Sequence, residues 1–154
     1  MEEPTDSRNP AAVARSTDQL SLPVATGERL VGRDAFRPFI ETQACAILQP
    51  DLGMAGGLTE CRALAEHARH YGLFLAPHNA GGPVCTAASL HLDFATPNFL
   101  IQETFPFRPD DYFDFVEEPY ERRIVNGCLP APTAPGLGLT LKPLPHLSRC
   151  LIST

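Results

Sequence analysis

Apolar and polar residues alternate along most of the chain in blocks rather than one by one. Four short aliphatic-rich runs, at residues 21–26, 45–49, 73–76 and 99–102, are too brief for helices and read as buried strands. Longer stretches at helical spacing lie between and before them. Residues 9–19 form a candidate helix capped by Asn9 with Pro10 behind it, and residues 34–44 a second, with Asp34 near its start and Pro38 acceptable only in a first turn. Residues 59–71 are the clearest case. Leu64, Ala65, Ala68 and Tyr71 make one apolar stripe, Thr59 is placed to cap it, and Gly72 supplies a left-handed stop. Residues 83–94 follow Gly81-Gly82, with Pro83 in the favoured first position.

Strand alternating with helix at short intervals predicts βαβ units and a parallel sheet, an α/β class. Each strand is followed by an ionisable residue beside small ones: Glu28, Asp51, His78 and Glu103 recur 23 to 27 residues apart. Glu2 stands 26 residues before Glu28, so Met1-Glu2 fits the end of a further strand. One βα unit has about this period. Right-handed connections bring all the strand ends to one side, where barrel enzymes keep their chemistry.

The 154 residues, 44% hydrophobic and 19% charged, match one domain with a core and rule against a disordered or collagen-like chain. Twelve Lys and Arg against eighteen Asp and Glu leave a net charge of −6, which disfavours nucleic acid and anionic membranes as partners. No apolar run approaches the roughly 18 residues of a spanning helix. The acidic start Met-Glu-Glu-Pro does not resemble a secretion signal, so the expected location is the cytoplasm. Cys45, Cys61, Cys85, Cys128 and Cys150 are irregularly spaced, with no Cys-x-x-Cys pair, and read as reduced structural thiols. The composition shifts near Asp110 toward prolines and acidic residues. The expected division is a regular body over residues 1–109 and a partly irregular extension over 110–154 that packs back on it.

Six motifs in order and at consistent spacing carry a resemblance: Glu2-Glu3-Pro4, Pro23-Val24-Ala25-Thr26-Gly27-Glu28-Arg29, Gln49-Pro50-Asp51-Leu52-Gly53, Gly56-Gly57-Leu58-Thr59-Glu60, Ala76-Pro77-His78-Asn79 and Asn98-Phe99-Leu100-Ile101-Gln102-Glu103, with Pro135-Gly136-Leu137-Gly138 near the end. Together they resemble the C-terminal part of the mandelate racemase branch of the enolase superfamily, above all its acid-sugar dehydratases of the galactonate dehydratase type. The resemblance implies the C-terminal half of a (β/α)8 barrel, about four to five βα units with an irregular Pro-rich tail. It implies that Glu2 and Glu28 match two of three Mg²⁺ carboxylates; the 26-residue step to Glu28 favours Glu2 over Glu3. Asp51 and His78 match an Asp–His dyad in which the carboxylate orients the imidazole. Glu103 matches a glutamate that meets the substrate carboxylate or its enediolate. The implied reaction is a Mg²⁺-dependent dehydration of a sugar-acid carboxylate: proton abstraction next to the carboxylate, then loss of the β-hydroxyl.

Against the family pattern, a capping domain, the first barrel strands, one metal carboxylate and the opposing acid/base residues have no counterpart here. A complete barrel takes about 250 residues. The expectation is therefore a truncated copy, completed by a second copy or by a chain that supplies the missing half-barrel. The competing reading is an inactive fragment or interaction module. Other candidates have blander explanations. His67 and His70 fall on the outer face of a helix, His91 packs, His146 lacks a partner, and Gly53, Gly56 and Gly57 shape a loop. The acidic stretch around Asp110, Asp111, Asp114, Glu117 and Glu118 is a solvated face around aromatic residues.

Overall fold

A computed structural model describes residues 1–143 of the chain; His146 and Cys150 lie outside the described residues. The elements are α1 (Pro10–Gln19), β1 (Ala25–Thr26), α2 (Gly32–Glu41), β2 (Ile47–Leu48), α3 (Leu52–Ala55), α4 (Gly57–His70), β3 (Phe74–Leu75) and α5 (Pro83–Phe94), then two 3₁₀ turns, Asp110–Phe113 and Tyr120–Arg123. The three strands pair in chain order, all parallel, with Ala25 against Ile47 against Phe74, and Thr26 against Leu48 against Leu75. Parallel bridges from Glu2 to Ala25 and from Leu75 to Phe99 extend the sheet by one position on each side. The chain thus crosses the sheet five times in one direction, at the four apolar runs and at Met1-Glu2, which the 26-residue step to Glu28 marks.

The strands are much shorter than the apolar runs. Pro23, Pro50 and Pro77 have no N–H for a ladder, and Gly27 turns out of the sheet at a φ of 136°. A side chain at Gly27 would meet the Phe36 ring at 2.9 Å and the Gln49 nitrogen at 3.1 Å. Only glycine lets β1 turn this tightly, and the turn delivers Glu28.

Helix positions follow the sequence reading closely, with corrections at the caps. Asn9 caps α1, its side chain accepting from Ala12 N–H at 3.1 Å, and α5 spans 83–94 as expected. Asp34 does not cap α2; the helix starts at Gly32 behind Val31, and Asp34 sits in its first turn, where the dipole favours an acid. Pro38 lies inside α2, beyond the first turn, and removes one helical hydrogen bond. Buried Phe36, Phe39 and Ile40 on the same helix hold it in place regardless. Thr59 does not cap α4 either, because the helix starts two residues earlier, at Gly57 behind left-handed Gly56. The short α3 has no counterpart in the sequence reading. Gly72 is left-handed as expected.

Right-handed crossovers between neighbouring parallel strands put the helices on one face of the sheet. There Val24, Leu48 and Leu75 are buried against Val13, Phe36, Ile40, Leu64 and Ala68. On the opposite face Phe74 is half exposed. A second cluster joins the tail to α5: Ala87 and Leu90 pack on Tyr120, with Leu129, Leu137 and Leu139 against it. Cys45 and Cys61 are in the interior, where burial pushes both thiols up to about 12 and leaves them inert. Among the described residues no helix is long and apolar enough to cross a membrane.

Candidate functional site

The sheet's C-terminal edge gathers the expected side chains around His78, which follows β3 through Ala76-Pro77. Asp51 follows β2 through Gln49-Pro50 and is mostly buried. Its two oxygens do different work. Oδ1 caps α3, accepting from Gly53 N–H at 2.7 Å and Met54 N–H at 3.1 Å, while Oδ2 lies 2.8 Å from His78 Nδ1. A carboxylate only accepts, so Nδ1 carries the hydrogen and Nε2 is the nitrogen left for chemistry. The cap locks the Asp51 rotamer, and Asp51 in turn locks the imidazole.

His78 Nε2 faces Glu28 Oε2 at 3.4 Å and Glu103 Oε2 at 3.8 Å. Glu28 holds Arg29 Nε with its other oxygen at 3.1 Å, and Arg29 also reaches Glu3 at 3.5 Å. The neighbouring acids raise the Arg29 guanidinium above its ordinary value, so it remains charged. Glu103 accepts from the backbone N–H of Asn79 at 3.1 Å, one residue past His78. Asp51, Glu28 and Glu103 thus surround a single imidazole. Glu2 stands apart from them: it is exposed, and its partner is Gln49 Nε2 at 3.3 Å. Glu3 has a positive φ, a largely buried side chain and a contact with Thr26 Oγ1.

Divalent magnesium needs several oxygen ligands converging on one point. Among the described residues no group of three acidic, histidine or cysteine side chains is arranged to hold a metal ion. The Glu28 oxygens are directed at Arg29 and His78, and Glu2 at Gln49. By themselves the described residues do not fit a complete Mg²⁺ shell.

Three contributors escaped the sequence reading. Asn79 Nδ2 donates to Thr86 Oγ1 at 2.8 Å, and the Thr86 hydroxyl donates to Glu121 in the second 3₁₀ turn. All three are buried. This chain of bonds ties the loop after β3 to α5 and to the tail, and its Asn79 end holds Glu103. Asn79 lies within a motif already noted, but no local signal marks Glu121, 35 residues beyond Thr86. Histidines on α4 take no part. His67 packs edge-on against Tyr71, and His70 bonds the Glu66 carbonyl.

The family model for the enolase C-terminal domain-like family matches residues 1–144. D-galactonate dehydratases of Ralstonia nicotianae and Ralstonia pickettii are 37% and 36% identical to the chain over 145 residues. The match covers 92% of this chain and 38% of each of those proteins, so the chain spans about two fifths of the length of the curated relatives it matches. Among solved structures, a member of the enolase superfamily from Salmonella Typhimurium is 34% identical with a TM-score of 0.85, over 92% of this chain and 36% of the other. A mandelate racemase/muconate lactonizing enzyme from Jannaschia sp. CCS1 is 39% identical with a TM-score of 0.83, over 92% and 35% respectively.

Proposed function

Because the chain belongs to the enolase C-terminal domain-like family, we propose that it is the C-terminal half-barrel of an acid-sugar dehydratase, a lyase that removes water from a sugar-acid carboxylate. The observation that carries this reading is the His78–Asp51 pair, 2.8 Å apart, with the free nitrogen of the same ring turned toward Glu28 and Glu103. In this reading residues 1–109 are the barrel part and 110–154 an extension of it. The other barrel strands come from outside the described residues, from a longer form of the chain, a second copy or a separate chain.

A proton on the carbon next to a carboxylate is hard to remove because the resulting enediolate carries two negative charges. His78 Nε2 takes that proton, with Asp51 holding the ring so that the lone pair points at the substrate. The bond to the β-hydroxyl then breaks, the departing oxygen takes the proton held on His78 Nε2 and leaves as water, and the enol tautomerises to a 2-oxo-3-deoxy acid. Glu103, fixed by Asn79 N–H, meets the carboxylate end of the substrate. Glu2 and Glu28 belong to the side of the site where members of the family bind Mg²⁺, an ion that supplies positive charge to enediolate oxygens when bound.

The test is proton magnetic resonance in D₂O on a panel of sugar acids, D-galactonate among them. Deuterium should enter next to the carboxylate and a 2-oxo-3-deoxy acid should accumulate; His78→Asn should abolish both, since a positioned acid/base group is worth about 10²–10⁴ in rate. A chain that exchanges no proton on any of these acids is instead a binding or interaction module without turnover.

A further inference from the structure

Away from His78, a cavity of about 360 Å³ opens between α5, the segment after Phe99 and the tail, an ordinary size for a small-molecule site. Its walls are largely apolar, Leu90 and Phe99 among them. Its buried polar atoms are not. Asp93, only 5% exposed, has both carboxylate oxygens buried with no hydrogen-bond partner among the described residues. Gln102 spends its Nε2 on the carbonyls of Pro77 and Glu103, which leaves its buried Oε1 unpartnered, and Thr104 Oγ1 is buried without a partner as well. Among the described residues no lysine, arginine or histidine lines the cavity. Burial pushes the Asp93 carboxyl up to about 8, so without a counter-charge it is largely protonated near neutral pH, and a cation beside it would favour the ionised form.

Unmet acceptors in a buried wall cost free energy until a donor arrives. Three of the four unpartnered side-chain atoms, both Asp93 oxygens and Gln102 Oε1, accept once the carboxyl is ionised, and the Thr104 hydroxyl both donates and accepts, so the group that satisfies them together is donor-rich and cationic. Ammonium is compact and strongly hydrated, a poor match for apolar walls; guanidinium is planar, weakly hydrated and carries five N–H groups in a fork that suits a carboxylate. We propose that the Asp93 cavity binds a guanidinium group carried on an apolar stem. The cavity adjoins the His78 site through Gln102, and its ligand takes no part in the proton transfer there. A free alkylguanidinium and the arginine of an extended segment lying beside Phe99–Gln102 present the same group, and the experiment separates them.

Cys128 lines the cavity and is exposed, so its alkylation by iodoacetamide, followed by peptide mass analysis of the whole chain, reports occupancy. Buried Cys45 and Cys61 serve as internal controls for unfolding. At ten times its Kd, n-butylguanidinium should slow Cys128 alkylation about tenfold, while neutral, isosteric n-butylurea should not slow it. Asp93→Asn should lose the protection. The butylurea comparison is made on the unaltered chain, so it stands even if the variant folds poorly. A short extended peptide with one arginine, against the same peptide with glutamine, gives the second arm: protection by the arginine peptide alone assigns the site to a protein-borne guanidinium. The proposal is overturned if neither the small cation nor the arginine peptide protects, if butylurea protects equally, or if a folded Asp93→Asn chain is still protected.

Discussion

Asp51 does two jobs through two oxygens, and they separate by substitution. Asparagine keeps a carbonyl oxygen for the α3 cap but presents an amide where His78 Nδ1 requires an acceptor. Asp51→Asn should therefore leave stability within about 1 kcal/mol while proton exchange falls about 10²–10⁴-fold; Asp51→Ala should lose the cap as well, at roughly 1 kcal/mol more. Urea denaturation and the deuterium assay read the two effects separately. Asp93 makes a different prediction. Its folded-state carboxyl titrates near 8, far above an unfolded aspartate near 3.9, so the native state binds the extra proton between these values. Its contribution to stability is complete below about pH 4 and is lost as pH rises toward 8. Denaturation at pH 5 and pH 8.5 should show the natural chain losing a few kcal/mol that Asp93→Asn does not lose. Equal slopes in the two proteins would sink the assignment. Single residues were legible in the sequence where they closed a strand. Glu28, Asp51, His78 and Glu103 stand together as their common phase implies, whereas the solitary Asp93 and Glu121 take their significance from neighbours far along the chain.

At the scale of elements, Gly27 is the position most sensitive to change. Any side chain there is strained at a φ of 136° and collides with the Phe36 ring. Gly27→Ala should cost about 2–4 kcal/mol in denaturant unfolding and shift Glu28 away from His78; a cost under 0.5 kcal/mol would show that the β1 turn is not held as described. The apolar runs marked four sheet positions and the spacing of the ionisable residues the fifth, but the runs overstate strand length, because proline and glycine cut the ladders to two residues. Caps were the weakest part of the reading. Asp34 and Thr59 are suitable cap residues, yet Gly32 and Gly57 begin those helices earlier, since glycine accepts the positive φ that the preceding turns impose. The four-residue α3 has too little sequence to show a period, and it exists because Asp51 caps it.

The whole molecule is one layer of helices on one face of a parallel sheet, with apolar groups left on its other surfaces. Phe74 is 49% exposed, Phe94 65% and Ile101 64%. Apolar surface of this kind drives association when it forms a contiguous patch. The chain should sediment as more than a monomer in the tens of micromolar, and Ile101→Lys should return it toward monomer; a natural chain that stays monomeric across that range refutes the prediction. The alternation of strand and helix made the layer legible in advance. Which residues pack the tail against α5 was not legible, because Tyr120, Leu129 and Leu137 follow no common helical or strand period.

The link from Glu103 through Asn79 and Thr86 to Glu121 also bears on biosynthesis. The ribosome delivers the sheet and its ionisable edge first and the residue that braces that edge last. Until Glu121 has emerged and docked, the loop carrying His78 has no anchor on its far side. A nascent chain stalled before that point should hold its helices yet present a loose site.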